Sequence, residues 1–376
     1  MTKNKKITRH GFCALLGFLM LQASSGASAF TLIELPDPES TPGNAVTDIS
    51  AFQSLIQPLL SVLQTHLQNA RRAENKFGIS AQQGDLFASN EYTDTASDAN
   101  FIKVSSHSAG SAGIKSLWLG TTATNFENNF SRTEFDGNSN LLVAGFDYTR
   151  ADKYIFGISL SIEETKMNTD FNLGNQDISG YNVNPYFAYL ISDSWSLDVG
   201  LGIGRFDTDQ TRIVADVNPA PPPLVTADIV DSKFSTDRDF VATNLTYAVP
   251  RGNWYLTGWL GWLKATQDQE GFTESDGTVV DSADLDFERW SLGGEAAYSH
   301  RSYETYLSLI YELDTEDNQV EFATGAQPSD DDDSYLVGIG WRYFGSDLVA
   351  NIELSSRQGA DDLAETSVST TLRLQL

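Results

Sequence analysis

The chain has one cysteine, Cys13, among 376 residues. Cys13 lies in an N-terminal apolar run, so the rest of the chain has neither disulfides nor thiol chemistry. Histidine is almost as scarce, with four in all. Beyond the first 29 residues only His66, His107 and His300 occur, in no recognisable nucleophile or metal-ligand spacing. Basic residues number 24 against 51 acidic ones, for a net charge of −27. So acidic a chain is repelled by phosphates and is not a non-specific nucleic-acid binder. No uninterrupted apolar stretch reaches the roughly 18 residues of a membrane-spanning helix. Thiol enzymes, disulfide scaffolds, helical membrane proteins and nucleic-acid binders are therefore excluded.

The N-terminus is organised for export. Lys3, Lys5, Lys6 and Arg9 precede an apolar run from Gly11 to Leu21, and Ala27-Ser28-Ala29 follows. Residues 1–29 read as a cleaved secretory signal peptide. Removing them takes away four basic residues and no acid, which moves the net charge from −27 to −31.

From about Gly113 to Leu376, stretches of apolar and polar side chains alternate. In one of them Tyr154, Phe156, Ile158, Leu160 and Ile162 share a face, with Ser159, Ser161 and Glu163 on the other. Nearly every stretch repeats this, which is the pattern of a closed barrel in lipid, apolar outside and polar inside. The predicted fold class is all-β: a transmembrane antiparallel up-and-down β-barrel of about 12 strands, preceded by an amphipathic α-helix. The strands are predicted near 113–124, 138–150, 153–166, 178–191, 194–206, 234–249, 253–266, 284–299, 302–315, 333–344, 347–357 and 366–376. On the lipid side stand Trp195, Leu201, Ile203, Trp290, Leu292, Val337, Ile339 and Leu372. On the lumen side stand Glu163, Asp198, Arg289, Glu295, Glu304, Glu312, Arg342, Glu353 and Arg373. These charges either mark an ion path or pair across the barrel. Changes at lumen-facing Gly202 or Ser159 are expected to be milder than a charge placed on the lipid face.

Connections alternate in length. Tight ones at 150–153, 192–194, 250–253, 300–302 and 345–346 are assigned to the periplasm. Long ones at 125–137, 167–177, 207–233, 267–283 and 316–332 are assigned to the outside. Trp118, Tyr148, Tyr154, Tyr189, Trp195, Trp254, Tyr298, Tyr303 and Tyr343 read as an interface girdle. Asp330 to Asp333, and Asp276, Asp281, Asp284 and Asp286, read as solvated acidic loops without a twelve-residue calcium-loop pattern. No catalytic, cofactor-binding or metal-binding residue is assigned, and no cofactor is expected.

The run Tyr181 to Asp207 holds a tyrosine-rich strand, a Ser192-Asp193-Ser194-Trp195 turn and Leu197-Asp198-Val199-Gly200-Leu201-Gly202-Ile203-Gly204. Leu141 to Gly157 contains Gly145-Phe146-Asp147-Tyr148 before its own turn. In order and spacing these runs resemble the autotransporter β-domain, the translocator barrel of type V secretion, over about Ser116 to Leu376. The resemblance implies a Gram-negative outer-membrane location, twelve strands, lipid and the barrel assembly machinery as partners, and a structural or transport role without catalysis. It also implies a helix held in the lumen ahead of the first strand. Two departures stand out. Family members usually end in an aromatic residue, where this chain ends Leu374-Gln375-Leu376. They also carry a long passenger, where only residues 30–112 are available here, so any passenger is vestigial or very short. An outer-membrane pore or surface receptor, and an outer-membrane protease or lipase, are the alternative functions.

Residues 30–112 divide into a Pro- and acid-rich start, a helix near 45–77 and a polar tract. Val46, Ile49, Phe52, Ile56, Leu59, Leu60, Leu63 and Leu67 form an apolar stripe at steps of three and four. Pro58 is expected to kink the helix. A greasy stripe does not match a polar lumen, so three placements stay open: the lumen, the periplasmic rim or a partner, and a secreted short passenger. The domain reading is a signal peptide at 1–29, linker and helix at 30–112, and barrel at 113–376.

Overall fold

The computed structural model describes residues 49–86, 113–130, 133–150, 153–218, 224–316, 333–360 and 362–376. The predicted signal peptide and residues 317–332 of one long connection lie outside them. Helix α1 runs Ile49–Leu86. The strands are β1 (Ile114–Asn128), β2 (Phe135–Arg150), β3 (Tyr154–Thr169), β4 (Gly174–Leu190), β5 (Trp195–Asn218), β6 (Leu224–Arg251), β7 (Trp254–Gln269), β8 (Phe272–Thr273), β9 (Val279–Val280), β10 (Ala283–His300), β11 (Tyr303–Glu316), β12 (Asp333–Phe344), β13 (Leu348–Gln358) and β14 (Leu363–Gln375). Twelve of them close into an antiparallel barrel in chain order, with β14 returning to β1; β8 and β9 form a separate ribbon. Closure leaves no barrel edge inside the bilayer with unpaired backbone groups.

The alternation sorts side chains as expected. Ile158, Leu201, Leu292 and Ile339 stand exposed on the outer wall, and Ser159, Asp198, Arg289 and Arg342 are buried inside. Such a continuous apolar outer wall suits hydrocarbon and not water. Aromatic pairs cluster at the tight-turn end. Tyr154 stacks on Tyr189 at 5.2 Å, Trp195 meets Tyr247 at 4.9 Å, and Trp254 meets Tyr298 at 5.3 Å. Trp118 is the exception to the predicted girdle: it points inward and is buried.

At that end two hairpins close on two-residue loops, with Arg251 opposite Trp254 and His300 opposite Tyr303. Each loop needs a left-handed residue to match the strand twist. Gly252 supplies φ +62° and Arg301 φ +55°.

The other end differs from the predicted loops. Residues 207–233 are not a loop but the upper part of the β5–β6 hairpin, paired from Asp207↔Ser235 to Asn218↔Leu224. The pairing of β4 with β5 stops at Thr211, so the hairpin rises above its neighbours. The 270–282 connection docks on it. Phe272 stacks on Phe234 at 4.6 Å. The Arg212 guanidinium donates to both Glu274 carboxylate oxygens, at 2.9 and 2.5 Å, and both side chains are buried. In the turn between β8 and β9, Asp276 accepts the Thr278 backbone N–H at 2.8 Å, which holds its carboxyl below the usual carboxylate range.

Helix α1 continues unbroken through Pro58. Among the described residues no helix is long and apolar enough to cross a membrane. The apolar stripe of α1 is part of the molecule's main buried cluster. Phe52, Ile56, Leu59, Val62, Leu63 and Leu67 pack with Trp118, Leu141, Val143, Tyr186, Phe240 and Phe287 of the inner wall. Burying each such side chain contributes about 1.5–3 kcal/mol. The inner wall is therefore not uniformly polar: it carries an apolar track where α1 lies.

Candidate functional site

The inner wall and α1 make polar contacts from Gln53 to Arg72. Near its start, Gln53 donates to Asp314 at 3.2 Å. Gln57 accepts from Arg289 at 2.7 Å and donates to Glu312 at 3.3 Å. Arg289 also holds Asp314 through two nitrogens at 2.6 and 2.7 Å, and Arg357 reaches Glu312 at 2.6 Å. Around them Ala51 sits among Phe126, Phe135, Met167 and Phe171. All of these wall residues stand toward the long-connection end of their strands.

Lower down, the contacts change character. The His66 ring stacks on Trp118 at 4.0 Å between centroids. Its Nε2 lies 2.9 Å from Asp147 Oδ2, and Arg373 donates to the other oxygen of Asp147 at 3.1 Å. Trp118 in turn donates its Nε1–H to the Tyr186 hydroxyl at 2.7 Å. Asn69 donates to Thr371 at 3.3 Å. Arg71 pairs with Asp198. Arg72 reaches Glu295 at 2.5 Å and Glu304 at 2.9 Å, and its guanidinium lies 4.0 Å from the Tyr255 ring centroid. Glu295 is shared with Arg342, which grips both its oxygens at 2.7 and 2.5 Å. Glu304 is the residue after Tyr303, the first residue of β11, so Arg72 sits beside the tight turns. From Gln53 to Arg72, helix α1 thus runs from the long-connection end to the tight-turn end.

The lumen-facing charges read from the sequence are paired. Glu163 lies 3.5 Å from Arg238, while Glu353 accepts the Tyr306 hydroxyl at 2.5 Å. Asp314, Arg238, Arg357, Arg71 and Arg72 belong to the same networks, although the strand pattern alone did not single them out. Asp147 had been noted only as part of a motif. The acidic residues 276, 281, 284 and 286 are not drawn into one cluster: Asp276 is in the turn, and Asp284 stands on β10 in register with Asp268.

The helix does not fill the lumen. A cavity of about 80 Å³, partly open to solvent, lies beside it, lined by Leu60, Ser61, Gln64, Gly200, Ala242 and Ser291 among others. Gly200 has nothing within 4 Å of where a Cβ would stand. Gly202 is different. A Cβ there would lie 1.9 Å from the Phe240 ring, so the mild substitution expected at Gly202 is not mild.

A family model described as autotransporter beta-domain matches residues 117–347, more than half of the chain. The chain belongs to the autotransporter β-domain family. Its barrel resembles the translocator domain of autotransporter NalP from Neisseria meningitidis, with a TM-score of 0.57 and 12% identity, over 72% of this chain and 90% of that one. It also resembles the beta domain of the Bordetella autotransporter BrkA, with a TM-score of 0.54 and 15% identity, over 69% of this chain and 98% of that one. At these identities the likeness is one of fold. No curated relative matches the chain in sequence. The autotransporter barrel here is thus an outer-membrane, type V translocator fold, with an N-terminal helix ahead of its first strand.

Proposed function

We propose that this barrel exports a short N-terminal segment of its own chain and is then closed by α1, without a catalytic step. One observation carries the reading: α1 lies along the lumen with Ala51 toward the long connections and Arg72 beside the tight turns. With tight turns in the periplasm, as in single-chain bacterial barrels, the residues ahead of Ile49 start outside the cell. The segment left after removal of a cleaved signal peptide at residues 1–29 is short. The barrel assembly machinery inserts the chain, and lipid covers its outer wall.

The test joins surface access to conductance. An epitope placed near Asn44 should be reached by antibody on intact cells. Deleting residues 31–77 should leave a barrel that assembles and conducts more in a planar bilayer. An epitope reached only after the outer membrane is opened overturns the export reading. Unchanged conductance after the deletion overturns the closure.

A further inference from the structure

We propose that Arg71 and Arg72 are positioning residues: an electrostatic stop that sets how far the chain travels outward through the barrel. This rests on the export reading above and names the feature that ends the movement.

The charge on the inner wall is distributed unevenly. In the outer half, Arg238, Arg289 and Arg357 face Glu163, Glu312, Asp314 and Glu365, one carboxylate in excess. There α1 presents the neutral amides of Gln53 and Gln57. In the half beside the tight turns, Asp147, Asp198, Glu295 and Glu304 face Arg342 and Arg373, and with Glu353 the carboxylates are three in excess. Glu353, nearby, bonds the Tyr306 hydroxyl. Arg71 and Arg72 supply two of the three missing positive charges. Asp147 additionally faces His66.

These groups are buried, and a buried charge without its partner is costly. An outward slip of one helical turn, about 5.4 Å, carries both arginines past Asp198 and Glu304 and strands those carboxylates. The covalent connection does not set the register. Residues 87–112, between α1 and the start of the barrel, reach roughly 85 Å when extended, far more than one turn. As α1 moves outward its uncharged amides lead, and its arginines meet their matching carboxylates last. The leading half therefore slides, and the trailing arginines arrest it.

Because the chain beyond residue 29 holds no cysteine, engineered pairs report the register cleanly. Asn69 and Thr371 are in side-chain contact, so N69C with T371C should cross-link in the parent. Ala73 follows Asn69 by one turn, so A73C with T371C reports an outward slip. In R71A/R72A the first cross-link should fall about tenfold and the second should appear, a shift that R71K/R72K should reverse. Barrel assembly is followed by heat-modifiable gel migration. If R71A/R72A does not assemble, D198N/E304Q removes the Arg71 pairing and one of the two Arg72 pairings from the wall and should give a shift in the same direction. An unchanged N69C–T371C cross-link overturns the stop. Loss of both cross-links also overturns it, because the arginines would then only hold the helix in place. The epitope near Asn44, read in the parent, keeps the two readings apart. Hidden in the parent, it sinks export itself; exposed in the parent with an unshifted register, it leaves export standing without the stop.

Discussion

Val62 occupies the space that a side chain at Gly120 would need: a Cβ on Gly120 would lie 2.5 Å from Val62 Cγ1. Gly120 lets β1 and α1 touch, and valine's branched Cβ leaves little room to turn away. Gly120→Leu should therefore push α1 off the wall while the barrel still closes. Single-channel recording should show a larger conductance with normal heat-modifiable migration. Gly200→Ala, which meets open space, should change neither. An equal response from both variants would separate conductance from the seating of α1.

His66→Ala removes both the stack on Trp118 and the contact with Asp147. Asp147 keeps Arg373, so the carboxylate is not abandoned. The loss should be roughly 2–3 kcal/mol of helix docking, a lost buried partner together with a small cavity. More frequent opening events in planar bilayers would register it. Trp118→Phe, which keeps a ring but loses the bond to Tyr186, should have a smaller effect.

Ile158 stands exposed on the outer wall of β3, about a third of the way from its tight-turn end. Ile158→Arg should cost about 2–4 kcal/mol of barrel stability, as a charge near the bilayer midplane does. Urea unfolding in lipid vesicles measures it. Gly200→Ser, on the inner wall of β5, should cost far less. Similar losses at the two positions would mean that the outer wall does not meet lipid.

Arg212 and Glu274 tie the 270–282 connection to the raised hairpin. Arg212→Ala leaves Glu274 buried without its guanidinium, a loss of about 3–5 kcal/mol for a buried pair broken on one side. The connection should become sensitive to added protease on intact cells, with the barrel unharmed. An epitope at Asp276 should be reached from outside in the parent, and one at Asn253 should not.

Strand number and facing were legible because lipid imposes a two-residue period on every span. β3 shows it throughout, and its inner and outer residues fall as the pattern predicts. The period stopped helping where the lipid stops. Thr208, Thr211, Ile213 and Val214 continue β5 above the bilayer, but with both faces outside hydrocarbon they resemble a loop. Their β-branched content was the available signal. The place of α1 was not legible for another reason. Leu141-Leu142-Val143 is apolar on both faces, so the inward track of Leu141 and Val143 is hidden by the outward Leu142. Trp118 was misplaced similarly, since an aromatic near a strand end suits either wall. The arginines of α1 were visible, but their partners come from β5, β10 and β11, and no local pattern reports that closeness.

Under the export reading, a lumen lined to match one particular helix is closed to a second chain. Arg72, His66 and Asn69 each occupy a wall position shaped for them, and the occupant is joined to its own barrel through residues 87–112. Under the export reading such a molecule has a turnover of one. The number of N-terminal segments on the cell surface then equals the number of barrels made, and the cell regulates display through synthesis and not through the rate of transport.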